Sequence, residues 1–403
     1  MYGGVLLMNN VLAKVLPQEG LQGSTAGAYN ATIALLGLFT LVGVAFGVHA
    51  MFIGHEHAYG VTREIPWGLM LAAYVFFVVT STGLCLVSSI GHVFGVKAFQ
   101  PIAKRSVFLA IASIIAGFLV IAFEIENPWR MAIYNVISPN PSSNIWWMGT
   151  LYGAYLFFML IEFALLQMGE HKKAGYLGLA GVISGVAAHS NLGAVFGLLN
   201  GREFWHGPYM PIYFITSAMM SGCAAVIFFH WMGYKINGWK MSDELKDSLT
   251  SVAKLGALLY VVIMFFTTWK IISGISGHPA GKYEAIMSFI NGPYATNFWV
   301  GEVAMGLVLP FVIILAVKAK NIPAMAIGSA SSIIGIFFMR YDLVVIGQIV
   351  PGLHEYNIVD MPHLLPYSPT LHEYKVTIAG FTFCAALFMI GERMFRGHLS
   401  EDH

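Results

Sequence analysis

Several ionisable side chains stand inside long apolar stretches. His189 and Asn191 lie in the run AAHSNLGAVFG, Glu162 lies in FFMLIEFALL, and Glu302 and Asp342 occupy two further apolar stretches. A charge at the centre of a bilayer costs at least about 2.5–3.5 kcal/mol, so such residues usually pair with another group or carry protons. We expect His189 and Asn191 to hydrogen-bond a small bound molecule. We expect the three carboxylates to form a proton path.

A second group of reactive residues lies beside the apolar stretches. Arg63, Glu64 and Trp67 stand together in REIPWG, just before one apolar stretch, and Glu124 lies near the end of another. Histidine exchanges protons near neutral pH, and a buried carboxyl can do the same. The sequence therefore predicts His189, Glu64 and Glu124 as catalytic, proton-exchanging residues. Arg63 and Trp67, with the asparagine two residues after the histidine, are predicted to bind the substrate.

These side chains also have structural interpretations. Glu124 and Glu392 are close enough to the ends of apolar stretches for their charged groups to reach the membrane interface. Arg340 and Asp342 are two residues apart, so they would pair across helices rather than with each other. A hydrogen bond from a neighbouring helix would satisfy Glu162. The residue types alone leave these alternatives open.

The composition indicates which elements position these residues. Of the 403 residues, 57% are hydrophobic and only 10% are charged, and the mean hydropathy is +0.71. Soluble domains carry about 25% charged residues, so the composition excludes a soluble globular enzyme and a disordered chain. A net charge of +1 excludes a nucleic-acid binder. The three cysteines lie in apolar runs, which excludes a disulfide scaffold and predicts no cluster for zinc or iron–sulfur.

Apolar stretches of about 20 residues are long enough to cross a bilayer as helices. The sequence contains ten, so we predict an all-α polytopic membrane protein. The predicted spans are 28–54, 65–95, 105–126, 145–169, 174–200, 209–236, 249–273, 296–318, 321–349 and 375–395. Residues 28–395 form the predicted membrane domain, with an N-terminal segment at 1–27 and a tail at 396–403.

The distribution of basic residues predicts the orientation. Fourteen of the 21 Lys and Arg residues fall on the side that carries both termini and the loops after even-numbered spans. Positive residues accumulate on the cytoplasmic side, so both termini are predicted to be cytoplasmic and the chain to lie in the cytoplasmic membrane. The opposite, outer loops 127–144, 274–295 and 350–374 are rich in Pro, Asn, Gly, His and Tyr. They fit either a docking platform for another subunit or ordinary packed loops.

An internal repeat relates the second and sixth spans. Aligning Tyr74 with Tyr213 places Gly83 on Gly222. The fourth and eighth spans both begin with aromatic residues followed by glycine. The pattern predicts two four-helix bundles of the same orientation, spans 2–5 over 65–200 and spans 6–9 over 209–349, flanked by spans 1 and 10.

Three chemistries remain open from the residues alone. Two histidines in each half of the membrane (His49 with His189, and His92 with His230) are the arrangement that two b-type haems would need. Buried carboxylates and parallel repeats are also compatible with a secondary transporter or another ion-translocating protein. A quinone site needs a cleft open to lipid, with a histidine or charged residue that binds the carbonyl. The residues at the outer face favour this third interpretation.

Four segments carry a resemblance to a known family. They are REIPWGLMLAAYVFF, AHSNLGAVFG with the following REFWHGPYMPIYFITSAMMSGCA, FWVGEVAMGLVLP, and YSPTLHEYKVTIAGFTFCAALFMIGE. Together they resemble the NrfD/PsrC superfamily of membrane subunits. The ten spans are most similar to its long branch, which includes DsrP and HmeC of sulfite-reduction-associated complexes and relatives in menaquinone reductase and alternative complex III.

The resemblance implies a membrane subunit that binds menaquinone or menaquinol as substrate and holds no haem or iron–sulfur centre of its own. It also implies a ferredoxin-like iron–sulfur subunit on the outer face, and multihaem cytochromes among the partners. In the polysulfide-reductase branch, an Asn and a His just before PWG contact the quinone. Gly60 and Arg63 stand at about those positions here. We therefore expect Arg63 or Glu64, together with His189, to take over that role.

Overall fold

The computed structural model describes residues 26–352 and 362–395, which form helices, turns and loops without a β-strand. Ten of these helices are long and apolar enough to cross a membrane. In chain order, spans 1 to 10 are Gly27–Ile53, Leu69–His92, Lys97–Glu124, Asn144–Gln167, His171–Gly197, Tyr209–Asn237, Asp243–Ile275, Asn297–Ala316, Ile322–Ile349 and Leu371–Met394. The predicted all-α fold with ten transmembrane helices is confirmed. The predicted tail 396–403 and nearly all of the N-terminal segment lie outside the described residues.

Polar caps extend some spans beyond their predicted limits. Span 7 begins at residue 243 rather than 249, because Ser242 Oγ accepts a hydrogen bond of 3.2 Å from the N–H of Leu245. Span 10 begins at 371 rather than 375, after a capping box formed by Thr370 and Glu373. These capped first turns contain polar residues and escape a search for apolar runs. Span 3 begins earlier for another reason, since a 3₁₀ segment at Lys97–Ile102 leads into it.

The loops after spans 1, 3, 5, 7 and 9 share one side of the molecule, which we call the predicted outer face. Short helices at His55–Ala58, Pro128–Ile137 and Lys282–Ile290 lie in these loops. The other side, which carries the loops after even-numbered spans, is the predicted cytoplasmic face. This orientation stays a prediction from the basic residues.

Spans 2 and 6 cross at the centre of the molecule. Gly83 lies against the backbone of Ala218 and Gly222, and Gly222 lies against the backbone of Gly83, so neither position has room for a β-carbon. Small residues at such crossings let helix backbones approach closely. The two glycines that match in the predicted repeat are thus the residues at which the two helices meet.

The helices pack in corresponding pairs. Span 2 contacts spans 3 and 5, and span 6 contacts spans 7 and 9. Across the centre, span 2 contacts span 9 while span 6 contacts span 5. Span 10 packs against spans 1 and 3. We propose that spans 2–5 and 6–9 are two related bundles, because exchanging one for the other preserves these contacts.

A buried ion pair joins spans 3 and 10. Arg105 Nε donates to Glu392 Oε1 at 2.7 Å and Arg105 Nη2 donates to Glu392 Oε2 at 3.1 Å, with both side chains at most 1% exposed. The guanidinium also lies 5.0 Å from the centre of the Tyr234 ring on span 6. The alternative that Glu392 reaches out to the membrane interface is therefore wrong, because an interior arginine holds it.

Candidate functional site

An aromatic cluster lies where the chain enters span 2 at the predicted outer face. The ring of Trp67 lies 5.4 Å from Phe196 at the end of span 5 and 5.5 Å from Trp205 in the next loop. Gln348 on span 9 fixes the Trp67 backbone on both sides. Its Oε1 accepts from the Trp67 N–H at 3.1 Å, and its Nε2 donates to the Trp67 carbonyl at 2.8 Å. Both bundles thus contribute to the position of this tryptophan.

Arg202 ties the surrounding loops together. Its Nη1 donates to the carbonyl of Gln348 and its Nη2 to the carbonyl of Glu64, both at 2.8 Å. Partial burial lowers the pKa of Arg202 from its usual value, but a guanidinium stays charged at neutral pH. The sequence selected Arg63 and Glu64 instead. The side chains of Arg63 and Glu64 are exposed. It is the backbone carbonyl of Glu64 that accepts a hydrogen bond from Arg202.

His189 lies inside the first bundle and is fully buried. Its Nδ1 is 3.1 Å from the hydroxyl of Tyr152 on span 4, and its Nε2 is 3.1 Å from the carbonyl of Phe214 on span 6. The carbonyl can only accept, so Nε2 carries a proton and Nδ1 accepts from the tyrosine hydroxyl. Of these two partners, only the Tyr152 hydroxyl can exchange a proton with the histidine.

A continuous series of aromatic contacts links His189 with Trp67. The rings of His189 and Phe214 are 5.7 Å apart, and Phe214 stacks on Phe196 at 5.7 Å. Phe196 in turn contacts Trp67. The buried Arg340 guanidinium also lies 5.4 Å from the ring centre of Phe214. Trp67 and His189, both predicted from the sequence, thus belong to one packed region.

Asn191 and Arg340 have hydrogen-bond partners within the fold. Asn191 Nδ2 donates to the carbonyl of Asn144 at 2.7 Å, which fastens span 5 to the start of span 4. Arg340 Nη2 donates to Ser217 Oγ on span 6 at 2.7 Å. Neither bond is the contact that the sequence predicted, which was substrate binding for Asn191 and a cross-helix ion pair for Arg340.

Glu124 lies in a different part of the predicted outer face, beside Tyr59 and Glu373. Burial raises the pKa of Tyr59, and the negative charges of Glu124 and Glu373 add to that effect. Glu373 accepts from the Gly60 N–H at 2.8 Å and from the Tyr367 hydroxyl at 2.6 Å. The sequence did not select Glu373, although its spacing from Thr370 marks a capping box.

Glu162 lies at the opposite end of the first bundle from Trp67. It contacts the Nε2 of His92, the last residue of span 2. Both side chains are buried or nearly so, with exposures of 1% and 10%. The structure therefore separates Glu162 from the residues of the predicted outer face, and gives it the hydrogen-bond partner that the structural interpretation required.

Glu302 and Asp342 lie close together in the second bundle, beside Lys270, which the sequence analysis did not select. They line a small cavity with Lys270 of span 7. The Lys270 ammonium lies 4.0 Å from the ring centre of Phe204. Glu302 stands in the π-helical part of span 8, Asn297–Val308, and such segments are frequent at functional sites. A lysine in the apolar run FFTTWKIISG was the available signal.

The histidines considered as haem ligands have other neighbours. His49 Nδ1 lies 3.1 Å from Nε2 of His372, and His92 contacts Glu162. Within residues 26–352 and 362–395, no group of three or more His, Cys, Asp or Glu side chains is arranged to hold a metal ion.

Comparison with known proteins places this arrangement in a family. The sequence model described as polysulphide reductase, NrfD, matches residues 57–352. A selenate reductase subunit of Mesobacillus selenatarsenatis is 26% identical over 377 residues, which cover 82% of this chain and 85% of that protein. The Hdr-like menaquinol oxidoreductase integral membrane subunit of Archaeoglobus fulgidus is 25% identical over 380 residues, with coverages of 91% and 93%. Protein NrfD of Escherichia coli is 20% identical over 316 residues, covering 71% of this chain and 96% of that protein.

Proposed function

The chain belongs to the family described as polysulphide reductase, NrfD, and from this premise we propose that it is the quinone-binding membrane subunit of a respiratory oxidoreductase complex. The family resemblance predicted from the motifs is thereby confirmed. Two similar proteins are named as a menaquinol oxidoreductase membrane subunit and a selenate reductase subunit. The proposed substrate is menaquinol, or menaquinone for the reverse reaction, and the chain works only within its complex.

The observation that carries this proposal is the packed aromatic region from Trp67 to His189. Trp67, the partly exposed ring at one end, offers the apolar, flat surface that a quinone headgroup requires, and the buried Tyr152 and His189 supply a hydrogen-bonded pair for proton exchange. Oxidation of a quinol releases two protons and two electrons. In our proposal His189 takes up a proton through Tyr152, and Glu64 and Glu124 pass protons to the outer side.

The electrons go to a partner, proposed to be a ferredoxin-like iron–sulfur subunit on the predicted outer face. Arg63 and Glu64 present exposed side chains there, close to the proposed site. The helix Pro128–Ile137 on the same side has no buried residue, and its Trp129 is 70% exposed. Exposed aromatic and arginine side chains are typical of protein–protein interfaces. Multihaem cytochromes are proposed as further members of the complex.

Buried charges in the second bundle favour an additional role in proton translocation. Glu302 and Asp342 share a cavity with Lys270, near the predicted outer ends of spans 7, 8 and 9. Such groups mark ion pathways in membrane proteins. We propose that Glu302 and Asp342 carry protons, and that Glu162 with His92 forms the corresponding group near the predicted cytoplasmic face. In sealed vesicles, Glu302→Gln is expected to abolish quinol-driven acidification while quinol oxidation continues.

The test of the quinone site is quinol oxidation by the assembled complex with His189→Gln or Tyr152→Phe. Loss of a positioned acid–base group costs about 10²–10⁴-fold in rate, so we expect kcat to fall by at least about 100-fold. The pH at which the rate is half-maximal should also shift, which a purely structural role would not produce.

The matched control is His230→Gln. His230 is as buried as His189 but lies near the predicted cytoplasmic end of span 6, far along the helix from Phe214, which contacts His189. Its complex is expected to oxidise quinol at close to the parent rate. An unchanged rate in both His189→Gln and Tyr152→Phe would rule out the assignment of the site.

A further inference from the structure

A large pocket opens at the predicted cytoplasmic face, on the side of the second bundle away from the proposed quinone site. Its volume is about 780 Å³. The end of span 6, the start of span 7 and the loop between spans 8 and 9 surround it. The lining residues are Trp231, Tyr234, Lys235, Trp239, Met241, Lys246, Val317, Lys320, Asn321, Ile322 and Pro323.

The charges at this pocket are all positive. Three lysines line it, and no carboxylate is among the lining residues, all of which belong to the described part of the chain. Lys246 Nζ lies 2.7 Å from the Asp243 carboxylate. Lys235 and Lys320 form no ion pair with the described residues, so their ammonium groups remain available for an anion. Two unpaired ammonium groups, with that of Lys246 beside them, favour a phosphate at this opening.

The remaining wall of the pocket is apolar and aromatic. Trp231 lies on span 6 and Trp239 in the loop that follows it, where the Trp239 ring packs edge-to-face on Tyr234 at 5.8 Å. Tryptophan concentrates where a membrane changes from acyl chains to headgroups. The neighbouring spans continue with apolar side chains that no other part of the described chain covers, such as Leu315 at 56% exposure and Ile327 at 64%.

The backbone that carries Lys320 is held in a defined turn. Lys318 and Ala319 both adopt the left-handed conformation, with φ of 50° and 55°. The Ala319 carbonyl accepts from the Thr250 hydroxyl of span 7 at 2.9 Å, and its N–H donates to the Ile314 carbonyl at 2.9 Å. Lys320 is therefore attached to a fixed part of the pocket rather than to a free loop.

We propose that this pocket binds the headgroup of an anionic phospholipid from the cytoplasmic leaflet. The lysines contact the phosphate, the tryptophans lie at the glycerol backbone, and the acyl chains run along the uncovered faces of spans 8 and 9. Basic pockets at helix ends on the cytoplasmic side suit such headgroups because attraction to the phosphate adds to burial of the acyl chains. The proposal does not depend on the quinone site.

The experiment measures binding of dioleoyl phosphatidylglycerol to the delipidated full chain by native mass spectrometry. The parent is expected to prefer this lipid over dioleoyl phosphatidylcholine. Combining Lys235→Gln, Lys246→Gln and Lys320→Gln should weaken phosphatidylglycerol binding by at least about tenfold. The matched control combines Lys104→Gln, Lys172→Gln and Lys173→Gln, which removes the same charge from the same predicted face and includes one lysine of an exposed i,i+3 pair. It should change the affinity less than twofold.

A second measurement serves if the triple variant does not fold. Brominated phosphatidylglycerol should quench the fluorescence of the parent more than brominated phosphatidylcholine does, and Trp231→Phe with Trp239→Phe should remove that difference. Equal binding of both lipids, or an unchanged affinity in a folded triple variant, would overturn the proposal. Displacement of the lipid by an equal concentration of glycerol 3-phosphate would also overturn it, since the pocket would then bind soluble phosphates.

Discussion

Two groups of buried charged residues in this protein differ in their partners. Arg105 and Glu392 form a two-point ion pair that leaves both groups nearly inaccessible. Glu302, Asp342 and Lys270 instead surround a small cavity. A carboxylate held by a guanidinium on two sides is a structural group, whereas we propose that the carboxylates lining the cavity carry protons. For these residues the difference separates a structural role for Glu392 from the proposed proton-carrying role of Glu302 and Asp342.

From the buried ion pair of Arg105 and Glu392, we predict that Glu392→Gln greatly lowers the stability of the protein. Removing one partner of a buried ion pair costs about 3–5 kcal/mol, because the remaining charge is left buried and uncompensated. The midpoint of thermal unfolding in detergent should therefore fall clearly below that of the parent.

The control for this prediction is Lys173→Gln, which removes one partner of an exposed pair with Glu170. Exposed pairs contribute little, so this variant should unfold close to the parent temperature. If Glu392→Gln unfolds at the parent temperature as well, the pair is not the fastening of spans 3 and 10 that the geometry indicates.

At the scale of the helices, the glycine contact between spans 2 and 6 holds the two halves together. Both glycines meet backbone atoms of the other helix, and backbone cannot move aside as a flexible side chain can. The aromatic region depends on this contact, because Phe214 on span 6 must lie against His189 of the first bundle. The site is thus built across the junction of the two predicted bundles.

We predict that Gly83→Ala destabilises the protein and weakens quinol oxidation. A methyl group at this position collides with the backbone of Ala218, so spans 2 and 6 must separate. Gly153→Ala on span 4 is the control, because a β-carbon there meets nothing within 4 Å. Thermal unfolding and activity of both variants test this, and equal behaviour of the two would contradict the close crossing.

The sequence predicted the helices much better than the contacts between them. Span ends came out within a few residues wherever the apolar run itself ended, because burial in lipid depends on local composition. The misplaced starts at spans 7 and 10 depend on capping side chains. The hydrogen bond from Arg202 to the Gln348 carbonyl joins residues 146 positions apart, and the hydrogen bond from Gly60 to Glu373 joins residues 313 positions apart. No local pattern encodes such partners.

The candidate site shows the same division. His189 and Trp67 were recognisable because a histidine in an apolar run and an aromatic residue before a span are unusual by themselves. The sequence analysis did not select Tyr152, because a tyrosine in a transmembrane helix is common. Only its 3.1 Å contact with His189 distinguishes it from the others. Lys270 was not selected either, because a lysine near the end of a span usually extends its ammonium group to the membrane interface.

For the whole molecule, the predicted orientation determines on which side of the membrane the partner must lie. With ten spans, both ends of the membrane domain lie on one side. The basic residues predict that this side is cytoplasmic. The three native cysteines are buried, so a maleimide should react with an introduced exposed cysteine and not with them.

We predict that Glu64→Cys reacts with a membrane-impermeant maleimide in intact cells, or in spheroplasts if an outer envelope is present. Lys172→Cys, in the first turn of span 5 at the predicted cytoplasmic face, should react only after the membrane is permeabilised. Both side chains are exposed, so access from the two sides is the only difference between them. The opposite pattern would invert the orientation and move the proposed quinone site to the cytoplasmic side.

The most direct test of the proposed quinone site is photolabelling of the assembled complex with an azido-menaquinone analogue. Identification of the labelled peptides by mass spectrometry should place the label in the segments that contain Trp67, Phe196 or Trp205, and excess unlabelled menaquinol should prevent it. Label confined to peptides from the opposite end of the helices, around Glu162 or Trp231, would contradict a quinone site between Trp67 and His189.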